Sequence, residues 1–166
     1  VHVLRLGRNS EFFPENNRIY FAVVLNGGDL FVANIPSDVA GRFHTISDQG
    51  QTNVITTDDI VREHIPSLFP HDEIEGIYAF KVTRDAELNL KDEIGSITRK
   101  LEKLLARRDH GHATRILYDR TMPEETLSKL CRLMKLKYAT RSAGGRYHNL
   151  RDLFSFPIKD QKFSYP

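Results

Sequence analysis

Cysteine is almost missing from this chain. Cys131 stands alone, so no internal disulfide can form and a reducing cytoplasm is the simplest setting. Long apolar runs are missing too: nothing approaches the roughly 18 residues that a membrane-spanning helix needs. No signal peptide is recognisable, because Val1-His2-Val3-Leu4-Arg5-Leu6 is too short and carries no small cleavage-site residues. An initiating methionine is also absent, which points to a fragment or a processed product. Charge of one sign is not in excess, since 24 Lys and Arg against 22 Asp and Glu leave a net charge of +2. Bulk attraction to nucleic acid is therefore not expected, and any anion site must come from local clustering. No repeat, low-complexity tract or internal linker is visible.

What is present is an ordinary globular composition. The 166 residues are 40% hydrophobic and 28% charged, enough for one domain with a real core. Residues 1 to 6 alternate and read as a short strand. Ile19 to Leu25 is a strand with apolar residues on both faces, hence covered on both sides. Asn26-Gly27-Gly28-Asp29 is a hairpin turn, and Leu30 to Ile35 is the returning strand. A second small hairpin is expected around Asp48-Gln49-Gly50-Gln51. Thr56 with Asp59 marks a helix start.

Ile74 to Thr83 reads as the next strand. Ile94, Ile97, Leu101, Leu104 and Leu105 give residues 91 to 108 a helical stripe. Thr114 to Tyr118 is a strand, and Thr121 with Glu124 resembles another capping box. Leu127, Leu130, Cys131 and Met134 then follow helical spacing. Leu136 to Thr140 is expected as a last strand, followed by a loop at Ala143-Gly144-Gly145. A final short helix over 149–154 is expected to be capped by Asn149. The expected fold is therefore α+β: a mixed sheet with an N-terminal hairpin, a β-α-β-α-β second half built on crossovers, and two-layer helix-on-sheet packing. Residues 1–155 form the domain, and 156–166 read as a tail leading elsewhere.

Chemistry is sparse. His110-Gly111-His112 has no partners at zinc spacing and reads as a solvated loop. Cys131 lies on an apolar helical stripe and reads as a core residue rather than a nucleophile. The glycine pairs match neither a P-loop nor a dinucleotide fingerprint. No Ser-His-Asp set or catalytic carboxylate pair can be assembled, so no catalytic or metal-binding residue is assigned. Two basic groups remain as contacts for an anion or a partner. Arg99, Lys103 and Arg107 recur every four residues on the long helix, forming either a solvated face or a stripe toward an acidic partner. Arg141, Arg146 and Arg151 surround Gly144-Gly145, either as a solvated loop or as an anion site, since guanidinium groups and backbone amides suit anions.

Five segments, taken in order, carry a resemblance. Ile77 to Leu88 is an apolar strand running into Val82-Thr83-Arg84-Asp85-Ala86-Glu87. The others are Phe13-Pro14 with Asn17 and a strand, Ile35-Pro36-Ser37 with Arg42-Phe43, Asp58 to Phe69 ending in Leu68-Phe69-Pro70, and Met122-Pro123-Glu124 with Asn149-Leu150-Arg151-Asp152-Leu153. Together, over most of residues 12 to 163, they resemble the middle, or head, domain of bacterial polyphosphate kinases. The resemblance implies a larger enzyme that moves the terminal phosphate of ATP reversibly onto polyphosphate through a phosphohistidine, with magnesium. It implies that the catalytic histidines and most ATP contacts lie outside this chain. It also implies dimer or tetramer contacts, polyphosphate as a partner, an interdomain role for Arg84 and Asp85, no specific nucleic acid, and a cytoplasmic location peripheral to the inner membrane. Two other classes are kept: a stand-alone binding module for an acidic partner or polyanion, and a small phosphohistidine phosphatase-like enzyme.

Overall fold

The computed structural model describes residues 1–10, 12–48, 50–84 and 113–157. The expected long helix with Arg99, Lys103 and Arg107, together with Asp85 and His110-Gly111-His112, lies outside the described residues.

Among the described residues, six strands form one sheet. They are β1 (Val3–Arg5), β2 (Ile19–Leu25), β3 (Leu30–Asn34), β6 (Ile74–Arg84), β7 (Ala113–Asp119) and β8 (Thr140–Gly144), in the order β1-β3-β2-β6-β7-β8. β4 (Phe43–Asp48) and β5 (Gln51–Thr56) make a separate antiparallel hairpin. Pairings in the six-stranded sheet are antiparallel except β7 with β8. The α+β class and the N-terminal hairpin are as expected. Gly27 and Gly28, at φ of 92° and 83°, supply the positive φ values that this tight β2–β3 turn requires.

β2 is buried along its whole length, and its alternation divides the core in two. Tyr20, Ala22 and Val24 join Phe80, Val82 and Ile116 beneath the helix α3 (Glu124–Leu133), which contributes Leu127, Leu130 and Cys131. Ile19, Phe21, Val23 and Leu25 face the other way, toward α2 (Thr57–His64) and the 3-10 turn Ile65–Leu68, which supply Val61 and Ile65. Helix-on-sheet packing thus occurs on both faces rather than in the expected two layers, because β2 has apolar side chains to bury on each side. The short α1 (Ser37–Ala40) contributes no buried residue. Among the described residues, no helix is long and apolar enough to cross a membrane.

Four local expectations are corrected. β6 and β7 are antiparallel, so the only parallel crossover among the described strands is β7–α3–β8. The last strand is Thr140–Gly144 rather than Leu136 to Thr140. Leu136 is occupied by the end of α3: its N–H donates to Cys131 at 2.8 Å while the Lys135 N–H donates to Arg132 at 3.2 Å. This is a Schellman stop with Lys135, at φ 57°, in the position usually held by glycine. Leu136 is thereby turned into the core.

Thr121 does not cap α3. Its N–H and hydroxyl both donate to Asp119 Oδ1, at 3.0 and 2.7 Å, and Pro123 precedes the helix without a side-chain cap. Asn149 likewise makes no cap bond to the 3-10 helix Leu150–Ser155. By contrast, Thr56 caps α2 as expected: its Oγ1 accepts from the Asp59 N–H and donates to the Asp59 carboxylate.

Candidate functional site

Among the described residues, a dense polar constellation lies where residues 146–152 cross α2 and β6 as a strap. Its centre is Arg42, which stands just before β4. Arg42 Nη2 donates to Asp58 Oδ2 at 2.7 Å and to the His148 carbonyl at 3.1 Å. Its Nη1 is 3.5 Å from Asp152 Oδ2. Arg42, Asp58 and His148 are all buried. Asp58 reaches this point because the Thr56 cap starts α2 there and puts the carboxylate in the first helical turn. Burial pushes the Asp58 carboxyl above its ordinary range, and the Arg42 guanidinium pulls it back in part.

His148 is fixed as one tautomer. Its Nε2 lies 3.3 Å from the Ala79 carbonyl, which only accepts, so Nε2 carries the proton. Nδ1 is buried and has no hydrogen-bond partner among the described residues. Burial therefore holds the imidazole below its usual value, against the Ala79 bond and the Asp119 charge.

The strap continues on both sides. Arg146 Nη2 donates to Asp59 Oδ1 at 2.8 Å, and the Tyr147 hydroxyl donates to Oδ2 at 2.9 Å. Burial alone would raise the Asp59 carboxyl. The bonds from Thr56, Tyr147 and Arg146 outweigh it and hold the group below its ordinary value. Further along, Lys81 Nζ donates to Asn149 Oδ1 at 2.6 Å, and Asn149 Nδ2 donates to the Asn17 carbonyl at 3.1 Å. Asn149 holds a left-handed conformation, φ 58° and ψ 59°, which asparagine tolerates. A Cβ on Gly144 would lie 3.0 Å from Leu117 Cδ1 and 3.2 Å from His148 Cε1. Glycine here lets the strap close onto the sheet, and the turn packs against His148 rather than opening as a cradle.

The expected arginine cluster is dispersed. Arg141 leans toward α3, donating to Glu124 Oε1 at 2.5 Å and to Ser128 Oγ at 3.3 Å. Arg146 leans toward α2 on the other face of the sheet. Arg151 is exposed and makes no ion pair or hydrogen bond among the described residues.

Arg84, expected at an interdomain contact, is turned inward and only 6% exposed. Its Nε donates to the Pro14 carbonyl at 3.1 Å, and its guanidinium lies 3.5 Å from the centre of the Phe13 ring. Cys131 is buried in the α3 core, which raises its thiol above the ordinary value.

Arg42, Asp58, Lys81 and His148 were not singled out from the sequence as site residues. Arg42 lies 16 residues from Asp58 and 106 from His148, so no local spacing reveals them. The sequence signals are Arg42 next to Phe43, Asp58 at the head of the Asp58 to Phe69 segment and Lys81 inside Ile77 to Leu88, all parts of the resemblance rather than of a site motif.

What this arrangement does chemically is fasten segments together. Among the described residues, no three His, Cys, Asp or Glu side chains come together to hold a metal ion. Asp58 and Asp59 are already engaged by arginines, so these residues do not fit magnesium-ATP.

The family profile described as polyphosphate kinase middle domain matches residues 2–156. The chain belongs to the polyphosphate kinase family. A polyphosphate kinase of Vibrio cholerae serotype O1 is 34% identical over 157 residues, covering 87% of this chain and 22% of that protein. The polyphosphate kinase of Escherichia coli K12 is 29% identical over 157 residues and is covered to 23%. A crystal structure of polyphosphate kinase from Porphyromonas gingivalis superposes with a TM-score of 0.72 at 27% identity, over 95% of this chain and 23% of that one. The chain thus spans about a fifth of the length of its polyphosphate kinase relatives.

Proposed function

We propose that this chain is the structural head of a polyphosphate kinase. In this reading the whole enzyme transfers the terminal phosphate of ATP reversibly to polyphosphate through a phosphohistidine. The nucleophile, ATP and magnesium belong to other parts of the protein. Residues 1–155 are the head, and 156–166 lead toward the catalytic part. The head contributes to oligomer contacts and to the body around the active site. The enzyme works in the cytoplasm, peripheral to the inner membrane.

The observation that carries this reading is the use made of the buried polar groups. Arg42, Asp58 and His148 sit where water is excluded, yet their bonds run to one another and to the backbone. Phosphoryl transfer needs cations and a nucleophile converging on an open space where the phosphate will lie. A tie between α2, β6 and the strap serves rigidity instead. Among the described residues, Arg151 is the one of Arg141, Arg146 and Arg151 that makes no ion pair or hydrogen bond, and it is exposed to meet a ligand or partner.

The test compares the 166-residue chain with the intact kinase, each given radiolabelled ATP, magnesium and a polyphosphate primer. The intact enzyme is expected to form polyphosphate and an acid-labile phosphohistidine, and the shorter chain to form neither. Synthesis by the shorter chain would overturn the structural role.

A further inference from the structure

The strap and the 3-10 helix that ends it are polar inside and apolar outside. Their inward groups, His148, Asn149 and Asp152, bond to Arg42, Lys81 and backbone carbonyls. Their outward side chains are Leu150, Leu153 and Phe154, exposed to 74%, 54% and 94%. A single exposed leucine needs no explanation, but three large apolar groups exposed within five residues of one short helix are a concentration of the kind that marks an interaction site. The polar bonds beneath hold the patch in place, so docking onto it costs little further ordering. Arg151 stands among these residues with no ion pair or hydrogen bond among the described residues, as a charged rim does around an apolar centre.

The position of the patch indicates what covers it. The middle-domain match ends at residue 156, one residue beyond this helix, and the relatives are more than four times longer than the matched region. In a chain built like those relatives, whatever folds next is tethered a few residues from the patch, at high effective concentration. A second copy would have to find it without that tether.

We propose that Leu150, Leu153 and Phe154 are a docking ridge for an apolar socket on the part of the same kinase chain that follows residue 166. The socket carries a carboxylate at its rim, opposite Arg151. This rests on the reading of the chain as the head of a longer kinase.

The experiment uses the intact kinase with Phe154→p-benzoylphenylalanine, irradiated and mapped by mass spectrometry. The expected adduct joins residue 154 to a peptide beyond residue 166 within one chain. An adduct joining two copies, an adduct to residues before 166, or no adduct overturns the proposal. In parallel, Phe154→Asp is expected to speed proteolytic cleavage just after residue 166 by about tenfold, the factor for loss of one buried aromatic anchor. Val39→Asp, at a position 87% exposed on α1, is expected to leave cleavage unchanged. Equal cleavage rates for the parent and Phe154→Asp also overturn the proposal. An intact protein that makes no polyphosphate from ATP rejects the kinase reading, whatever the crosslinks show. Polyphosphate synthesis without the crosslink rejects the docking ridge alone.

Discussion

Arg42 and Asp58 form an ion pair at 2.7 Å with side chains only 7% and 4% exposed, and the strap is hung on it through the His148 carbonyl. Two buried charges that satisfy each other add little net stability, but removing one strands the other. Arg42→Ala is therefore expected to destabilise the chain by about 3–5 kcal/mol. The double change Arg42→Met with Asp58→Leu should cost clearly less, because neither charge is then left alone. Urea unfolding of the three proteins checks this. Equal losses for the single and double variants would sink it.

Two groups whose folded values lie below the ordinary ones make stability fall with falling pH, while Asp58, raised by burial, works in the opposite sense. His148 is depressed from 6.5, so the unfolded chain takes up a proton first as pH falls. Its contribution to stability is complete above about pH 6.5 and is lost as pH drops through the folded value. Asp59, depressed from 3.8, behaves the same way in a lower window, below about pH 3.8. Melting temperatures measured from pH 7.5 to pH 5 should fall for the parent and flatten for His148→Gln. Parallel curves for the two would contradict the buried neutral tautomer.

Arg84 is a fastener for the loop before β2. Its backbone N–H donates to Asn16 Oδ1 at 3.0 Å while its side chain grips Pro14 and Phe13. Lysine has a point charge in place of the planar fork and cannot keep both side-chain contacts. Arg84→Lys is expected to cost about 2 kcal/mol and to raise amide exchange in residues 13–17 ahead of the rest of the fold. Unchanged exchange in that loop would remove Arg84 from this role.

Lys135 holds a left-handed conformation that side chains adopt at a cost. Its N–H and that of Leu136 close the end of α3 in any case. Lys135→Gly is accordingly expected to stabilise the chain by about 1 kcal/mol, read as a higher denaturation midpoint with an unchanged slope. A lower midpoint would mean that the lysine side chain makes a contact worth more than the backbone strain.

Periodicity and turn chemistry settled the parts of the fold that depend on neighbours in sequence. β2 carries apolar residues at every position, and only a strand covered on both sides can bury them all, which is how it sits. Gly27-Gly28 set the hairpin, and Thr56 with Asp59 set the start of α2, because those bonds span two or three residues. Near misses came where a long-range partner outbid a local one. Asp119 took the Thr121 hydroxyl from the start of α3, and Lys81 together with the Asn17 carbonyl took the side chain of Asn149. Leu136 looked like the start of a strand until the Schellman stop drew it into the core.

By itself, then, the sequence determined the α+β class, the faces of β2 and the family, since each rests on order and spacing along the chain. Only the tertiary structure decided the partners of the charges. Arg84 went inward, Arg141 and Arg146 parted to opposite faces of the sheet, and Arg42, Asp58 and His148 met in the interior. Charge pairing depends on which distant segments share a low-dielectric space, where an unpaired ion is costly. That information exists only once the sheet has brought residues 42, 58 and 148 together.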